Sequence, residues 1–164
     1  MNIIIVGCGK VGQALVEQLN DEGNDITVIA KVAEKVNDVS SRCDVMGVIG
    51  NGATHSVQRD AGIDTANLLI AVTGSDELNL LCCLIAKKAG NCHTIARVRN
   101  PEYYSESQFL KDELGLAMVI NPEFAAASEI ARVLRFPSAI KIDVFGRGRV
   151  CLLYTSDAAD ERSS

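Results

Sequence analysis

Ile3-Ile4-Ile5-Val6-Gly7-Cys8-Gly9-Lys10-Val11-Gly12 is the stretch that decides the fold. Four β-branched residues in a row, too few for a helix and apolar on both faces, read as a buried parallel strand that runs straight into glycines. The period then changes. Val11, Ala14, Leu15, Gln18 and Leu19 fall mostly on one helical face, so the chain goes strand, tight turn, helix. Gly7, Gly9 and Gly12 have the G-x-G-x-x-G spacing of a dinucleotide-binding turn. In such a turn Gly7 permits the bend, Gly9 lets a pyrophosphate approach the backbone, and Gly12 lets the helix lie close on the strand. Free N–H groups at the helix start, with the positive end of its dipole, would hold the phosphates. A glycine turn kept only for packing has the same spacing.

Composition narrows the class. A chain of 164 residues suits one domain, or one domain and a fragment, and is long enough to bury a real core. A hydrophobic fraction of 48% and a mean hydropathy of +0.15 describe a globular chain. The formal net charge of −5 argues against a nucleic-acid binder driven by phosphate neutralisation. No apolar run approaches the roughly eighteen residues of a membrane span, and residues 1–6 read as a strand without a basic leader. The expectation is a cytoplasmic protein. The six cysteines, Cys8, Cys43, Cys82, Cys83, Cys92 and Cys151, include no C-x-x-C pair and read as small core residues in a reducing compartment. His55 and His93 are the only histidines, and neither has metal-ligand neighbours at the usual spacing.

Further along, residues 21–25 read as a turn, 26–29 as a second buried strand, and a surface helix follows through Glu34, Val36 and Val39, ending near Arg42. Residues 44–49 read as a third strand, which completes one mononucleotide-binding half. A loop at Gly50-Asn51-Gly52-Ala53-Thr54 and a short helix from His55 to Ala61 lead to a fourth strand at 68–72. Ser75 or Asp76 can cap the next helix, whose inner side is expected at Leu78, Leu81, Cys82, Ile85 and Ala89. A fifth strand is expected at 94–99, a helix from about Glu106 to Leu114, and a sixth strand at 117–120. This alternation predicts an α/β, Rossmann-like, doubly wound parallel sheet in the order 3-2-1-4-5-6, with helices on both faces. The expected domains are a nucleotide-binding unit at 1–121 and a crossover or dimerisation helix at 122–137, with Phe124, Ala127, Ile130, Ala131 and Leu134 at helical spacing. Residues 138–150, with a turn at Gly146-Arg147-Gly148, read as the first hairpin of a truncated second domain. From Cys151 the alternation fails, and 151–164 reads as a non-native tail.

Five segments agree with one family: IIIVGCGKVGQALVEQL, VIGNGATHSVQRDAGI, LLIAVTGSDELNLLCCLIAKKAG, IARVRNPEY and VINPEFAAASEIARVL. Together they resemble the N-terminal nucleotide-binding domain, the RCK or KTN domain, of Trk-type potassium uptake proteins. The resemblance covers residues 1 to about 150. It implies a regulatory subunit that binds NAD(H) or ATP/ADP and forms a homo-oligomer, a dimer or tetramer ring. That assembly would sit on the inner face of the cell membrane and gate a membrane-embedded Trk-type potassium transporter. In the family the second strand usually ends in an acidic residue facing the adenosine ribose; here Ala30 stands there, followed by Lys31. A carboxylate accepting a ribose hydroxyl is worth roughly 1.5–3 kcal/mol. Its loss would weaken NAD or ADP by about tenfold to somewhat over a hundredfold. Lys31 alternatively favours a 2′-phosphate or extra phosphates.

Carried over position by position, the turn residues Gly7, Cys8, Gly9, Lys10, Val11 and Gly12 would meet the phosphates. Asn51, Gly52 and Ala53 follow the third strand at the adenine end, and Asn51 could hydrogen-bond it or merely form a turn. Thr73, Gly74 and Ser75 follow the fourth strand across the switch point from Gly9. Arg97 and Arg99, two apart on one face of the fifth strand, look like the family's phosphate-facing arginines; pairing with carboxylates is the other reading. No catalytic residue is expected. The rival is the cofactor domain of an NAD(P)-dependent oxidoreductase, which would need a proton-transfer residue that neither histidine convincingly supplies.

Overall fold

The first strand, β1 (Asn2–Val6), is buried on both sides, and its alternation divides the core. Ile3 and Ile5 join Val16, Val28, Val36 and Val39 on one face of the sheet. Ile4 and Val6 join Ile29, Leu69, Ala71, Cys82, Cys83 and Ala86 on the other. A strand covered on both faces needs apolar residues at every position, which is why the run is continuous rather than alternating. Each isoleucine so buried stabilises the fold by about 1.5–3 kcal/mol relative to exposure. These positions belong to a computed structural model that describes residues 1–135 and, beyond them, the backbone of two strands at 139–145 and 150–155.

After β1 come α1 (Lys10–Asp21), β2 (Asp25–Ala30), α2 (Ala33–Arg42), β3 (Met46–Ile49) and α3 (His55–Asp60). A single 3-10 turn precedes β4 (Leu68–Ala71), α4 (Asp76–Ala89) and β5 (His93–Arg97). The unit ends with α5 (Pro101–Ser105), α6 (Ser107–Leu114) and β6 (Met118–Ile120). The six strands form one parallel sheet in the order β3-β2-β1-β4-β5-β6, as the alternation predicts. Register brings the carboxyl ends level: Val6 lies opposite both Ile29 and Ala71. The loops that follow β1, β2, β4 and β5 therefore gather on one rim, and the chain reverses its winding between β1 and β4.

Several details differ from the sequence reading. α4 turns Asp76, Asn79, Cys82, Cys83 and Ala86 inward, while Leu81 is exposed. Small residues on the inner stripe let this helix lie close on β4 and β5, so compactness outweighs apolarity there. Likewise α1 buries Gly12 and Val16, and Ala14 and Gln18 face solvent. The helix expected from about Glu106 to Leu114 is α6, and a further short helix, α5, precedes it: Asn100 caps α5 by accepting the Glu102 N–H at 3.0 Å, with Pro101 at its first position. β5 starts at His93 and ends at Arg97, which leaves Arg99 beyond the strand.

Residues Met1–Pro122 form one compact unit and Glu123–Ser164 another. The second contains nearly all of α7 (Pro122–Arg135), and an antiparallel pair, β7 (Ala139–Phe145) and β8 (Val150–Thr155). β8 runs five residues past Val150, through the point where the alternation is expected to fail. The predicted turn at 146–148 and the tail residues 156–164 lie outside the described residues.

Of the five described cysteines, four are buried and Cys43 is half-buried, and none is in a disulfide. Burial pushes the Cys82 thiol up to about 12 and that of Cys83 higher still, from an ordinary 9.0. Folding thus favours the neutral thiols, so the stability they contribute is complete below pH 9 and falls as pH rises from there toward 12. Expected result: at pH 8 a disulfide-exchange reagent labels Cys43 fast and Cys8, Cys82, Cys83 and Cys92 only after denaturation. Rapid native labelling at Cys82, read by peptide mapping, would contradict this burial.

Candidate functional site

The turn after β1 is shaped by two close approaches. Gly7 has φ +116°, a conformation that side chains rarely adopt, and donates its N–H to the Ile29 carbonyl at 2.9 Å. Gly12, in the first turn of α1, faces the Gly7 carbonyl so closely that a methyl group there would lie 1.9 Å from its oxygen. At Gly9 the same methyl would meet nothing within 4 Å, so the space before the turn is open. The first intrahelical bond is Gln13 N–H to the Gly9 carbonyl at 2.9 Å. The amides of Lys10, Val11 and Gly12 have no acceptor four residues back, and α1 presents them at its positive end.

In front of this turn lies a cavity of about 360 Å³, within the range of small-molecule sites. Ten of the residues singled out from the sequence line it: Gly7, Cys8, Gly9, Ala30, Lys31, Asn51, Gly52, Thr73, Gly74 and Arg97. The others support it or lie aside. Gly12 sets the distance of α1, and Ala53 donates its N–H to Asn51 Oδ1 at 3.2 Å. That bond closes a turn and occupies one side of Asn51, whose Nδ2 makes no hydrogen bond among the described residues. Ser75, and not Asp76, caps α4, accepting the Leu78 N–H at 3.2 Å. Arg99 does not line the cavity; its guanidinium donates to the Gly74 carbonyl at 2.5 Å and lies 3.8 Å from Asp76. The carboxylate-pairing reading therefore describes Arg99, and only Arg97 reaches the cavity.

The sequence reading missed the buried polar groups that hold the loops. Asn79, fully buried, accepts the Thr73 N–H at 2.8 Å and the Thr73 hydroxyl at 2.7 Å, and donates to the Arg97 carbonyl at 2.9 Å. Gln58, also fully buried, donates to the carbonyls of Gly52 at 2.7 Å and Cys82 at 2.9 Å. Asp76 accepts the N–H groups of Arg99 at 2.9 Å and Asn100 at 2.7 Å, and Asn121 donates to the Arg99 carbonyl at 3.3 Å. Each fastens one rim loop to another element, and burial makes such bonds costly to leave unmade. A polar residue on an otherwise apolar helix face was the available signal. Lys35 and Val32 also line the cavity, with the apolar Val6, Ile29, Val72 and Leu78.

The lining holds Lys31, Lys35 and Arg97 and no carboxylate, although the whole chain carries −5. Burial raises the Cys8 thiol, and Lys35 pulls it the other way. The arrangement suits a ligand with anionic groups at the glycine turn and a flat apolar part toward Ile29, Val32 and Leu78. Among the described residues no His, Cys, Asp and Glu cluster could hold a metal ion, and no helix is long and apolar enough to cross a membrane.

The family model described as the TrkA-N domain matches residues 3–122. A Trk system potassium uptake protein TrkA homolog from Archaeoglobus fulgidus is 40% identical over 150 residues, 92% of this chain and 34% of that protein. The chain thus spans about a third of that relative's length. Among solved structures, the TrkA-N domain of inner membrane protein ybaL from Escherichia coli superposes with a TM-score of 0.72 at 25% identity, covering 81% of this chain and 96% of that one. The GsuK channel bound to NAD shares the fold at TM-score 0.62 and 20% identity, over 73% of this chain and 21% of the channel chain. The Kef C-terminal domain of Shewanella denitrificans in an AMP-bound form does so at 0.68 and 20%, over 83% and 82% of the two chains. On the family match across most of its length, this chain belongs to the TrkA-N domain family.

Proposed function

We propose that this chain is the nucleotide-sensing domain of a potassium-uptake regulator, taking up NAD(H) or ATP/ADP and passing its occupancy to a membrane-embedded Trk-type transporter. The observation that carries the reading is the open glycine turn at the switch point, faced by three cations and no carboxylate. In this reading the amides of Lys10 to Gly12 receive phosphate oxygens, with Arg97 opposite. Asn51 Nδ2 and the apolar wall at Ile29 and Val32 receive the adenine, and Thr73 and Gly74 border the second half of the ligand. The NAD bound by the GsuK channel and the AMP bound by the Kef domain belong to this class of ligand.

No bond need be broken in the site. The titratable groups lining it are Cys8, Lys31, Lys35 and Arg97, and burial keeps the Cys8 thiol protonated. The lining holds no histidine and no carboxylate, the commonest proton-transfer groups, which favours a sensor over an oxidoreductase. Exchange of one nucleotide for another would alter contacts at Thr73 and Arg97, and the Asn79 and Asp76 bonds would carry the difference to the loop before α5. Self-association into a dimer or tetramer ring at the inner face of the membrane completes the reading. The exposed Phe124, Ile130 and Leu134 of α7 support it as the element shared between copies.

A thermal-shift panel of NAD, NADH, NADPH, ATP and ADP tests the reading. At a hundredfold excess over Kd, a ligand that binds only the folded chain adds about 2.7 kcal/mol. Stabilisation by two or more of these without turnover is expected. Consumption of NADH with any substrate would replace the sensor by the oxidoreductase, and light scattering reports self-association.

A further inference from the structure

We infer that the cavity selects adenine nucleotides carrying a phosphate on the 2′ position of the adenosine ribose, with Lys31 and Lys35 as the receiving groups and Ala30 as the residue that admits it. The inference rests on the reading of this cavity as a nucleotide site and changes which adenine nucleotide it prefers.

In a dinucleotide-binding half, the residue closing the second strand faces the ribose. A carboxylate there accepts the 2′-hydroxyl and repels a 2′-phosphate; a cation nearby accommodates the phosphate instead. Ala30 closes β2, one residue beyond Ile29, whose partner in register is Val6 at the glycine turn. Its carbonyl is taken by the Gly50 N–H at 2.9 Å, and its methyl offers no acceptor. Glu34 is the one acidic residue in the first turn of α2, and it does not line the cavity. Lys31 and Lys35 do line it, and neither makes an ion pair among the described residues.

Lys31 directly follows β2 and Lys35 lies in the first turn of α2, so both reach the cavity from the segment after Ala30. Lys35 acts electrostatically on Cys8 in the glycine turn, and Lys31 on Cys82, whose sulfur lies against Gly52. A side chain caps neither lysine's segment: Val32, the N-cap of α2, makes no side-chain hydrogen bond, so the helix start leaves amides open on the same corner. An added phosphate brings about −1.5 to −2 charges and three acceptor oxygens into a lining that has cations and no carboxylate. Charge-assisted hydrogen bonds of this kind amount to about tenfold to a hundredfold in affinity. Both lysines are exposed, so the preference shrinks with added salt.

The test is calorimetric titration with two isomers of equal phosphate count, 2′,5′-ADP and 5′-ADP, beside 5′-AMP, NADH and NADPH. The expected result is that 2′,5′-ADP binds about tenfold to a hundredfold more tightly than 5′-AMP and more tightly than 5′-ADP, and NADPH more tightly than NADH. The double variant Lys31→Ala with Lys35→Ala should fold normally and lose the difference, binding 2′,5′-ADP no more tightly than 5′-AMP. Ala30→Asp should reverse it. If 5′-AMP binds but 2′,5′-ADP gains nothing over it, this inference fails and the nucleotide reading stands. Equal binding of the two ADP isomers also overturns it, because charge alone then suffices. If none of the five binds, both readings fail together.

Discussion

Replacing Gly12 by alanine is expected to destabilise the protein by about 3 kcal/mol, seen as a fall in Tm of about 10 °C. The added methyl would sit 1.9 Å from the Gly7 oxygen and 3.0 Å from its carbonyl carbon, and both are backbone atoms at a turn that cannot rotate away. α1 would have to retreat from the end of β1, opening the contact between Val16 and the Ile3 and Ile5 face of the sheet. Gly9→Ala is the paired control. Its methyl meets nothing within 4 Å, and Gly9 already has an extended conformation, φ −78° and ψ −177°. Its cost is limited to about 1 kcal/mol, the difference between glycine and alanine at an N-cap. The nucleotide should nevertheless bind about tenfold to a hundredfold more weakly, since the methyl fills the approach to the α1 amides. Thermal denaturation and calorimetry of the two variants separate the roles. Equal Tm losses at both positions would contradict the geometry of the turn.

Asn79→Ala is expected to cost about 3 kcal/mol, because it removes the acceptor of the Thr73 N–H and a donor to the Arg97 carbonyl together. Those two residues border the cavity from neighbouring strands, so the loss should loosen the site as well as the fold. Thr73→Val supplies the comparison. It removes the hydroxyl's bonds to Asn79 and to the Ser75 N–H at 3.3 Å but keeps the backbone bond, and should cost only about 1 kcal/mol. Denaturant midpoints should therefore fall further for Asn79→Ala than for Thr73→Val. The reverse order would mean that the hydroxyl, and not the amide bridge, fastens β4 to β5.

The topology was legible because its determinants are local. A continuous apolar strand, glycines at a fixed spacing and a change of period can be counted along the chain, and the six-stranded order follows from alternation and right-handed crossovers. Ten cavity residues were legible for the same reason, since they end strands that the pattern had already placed. Element ends were less so. The cap at Asn100 starts a short helix that the pattern did not show, and Arg99 fell outside a strand that stops at Arg97.

By itself, then, the sequence determined a doubly wound parallel sheet with a glycine turn after its first strand. Patterning and steric freedom are properties of neighbouring residues, and they suffice for that. Only the tertiary structure decided which polar side chains serve the site. Asn79, Gln58 and Asp76 act on partners 6 to 24 residues away, and Lys35 is turned toward the cavity from the first turn of α2. Which face α4 buries was decided in the same way, by how near its cysteines and alanine can come to the sheet. Separation along the chain carries no record of such distances; they exist once the strands have aligned and brought the loops to one rim.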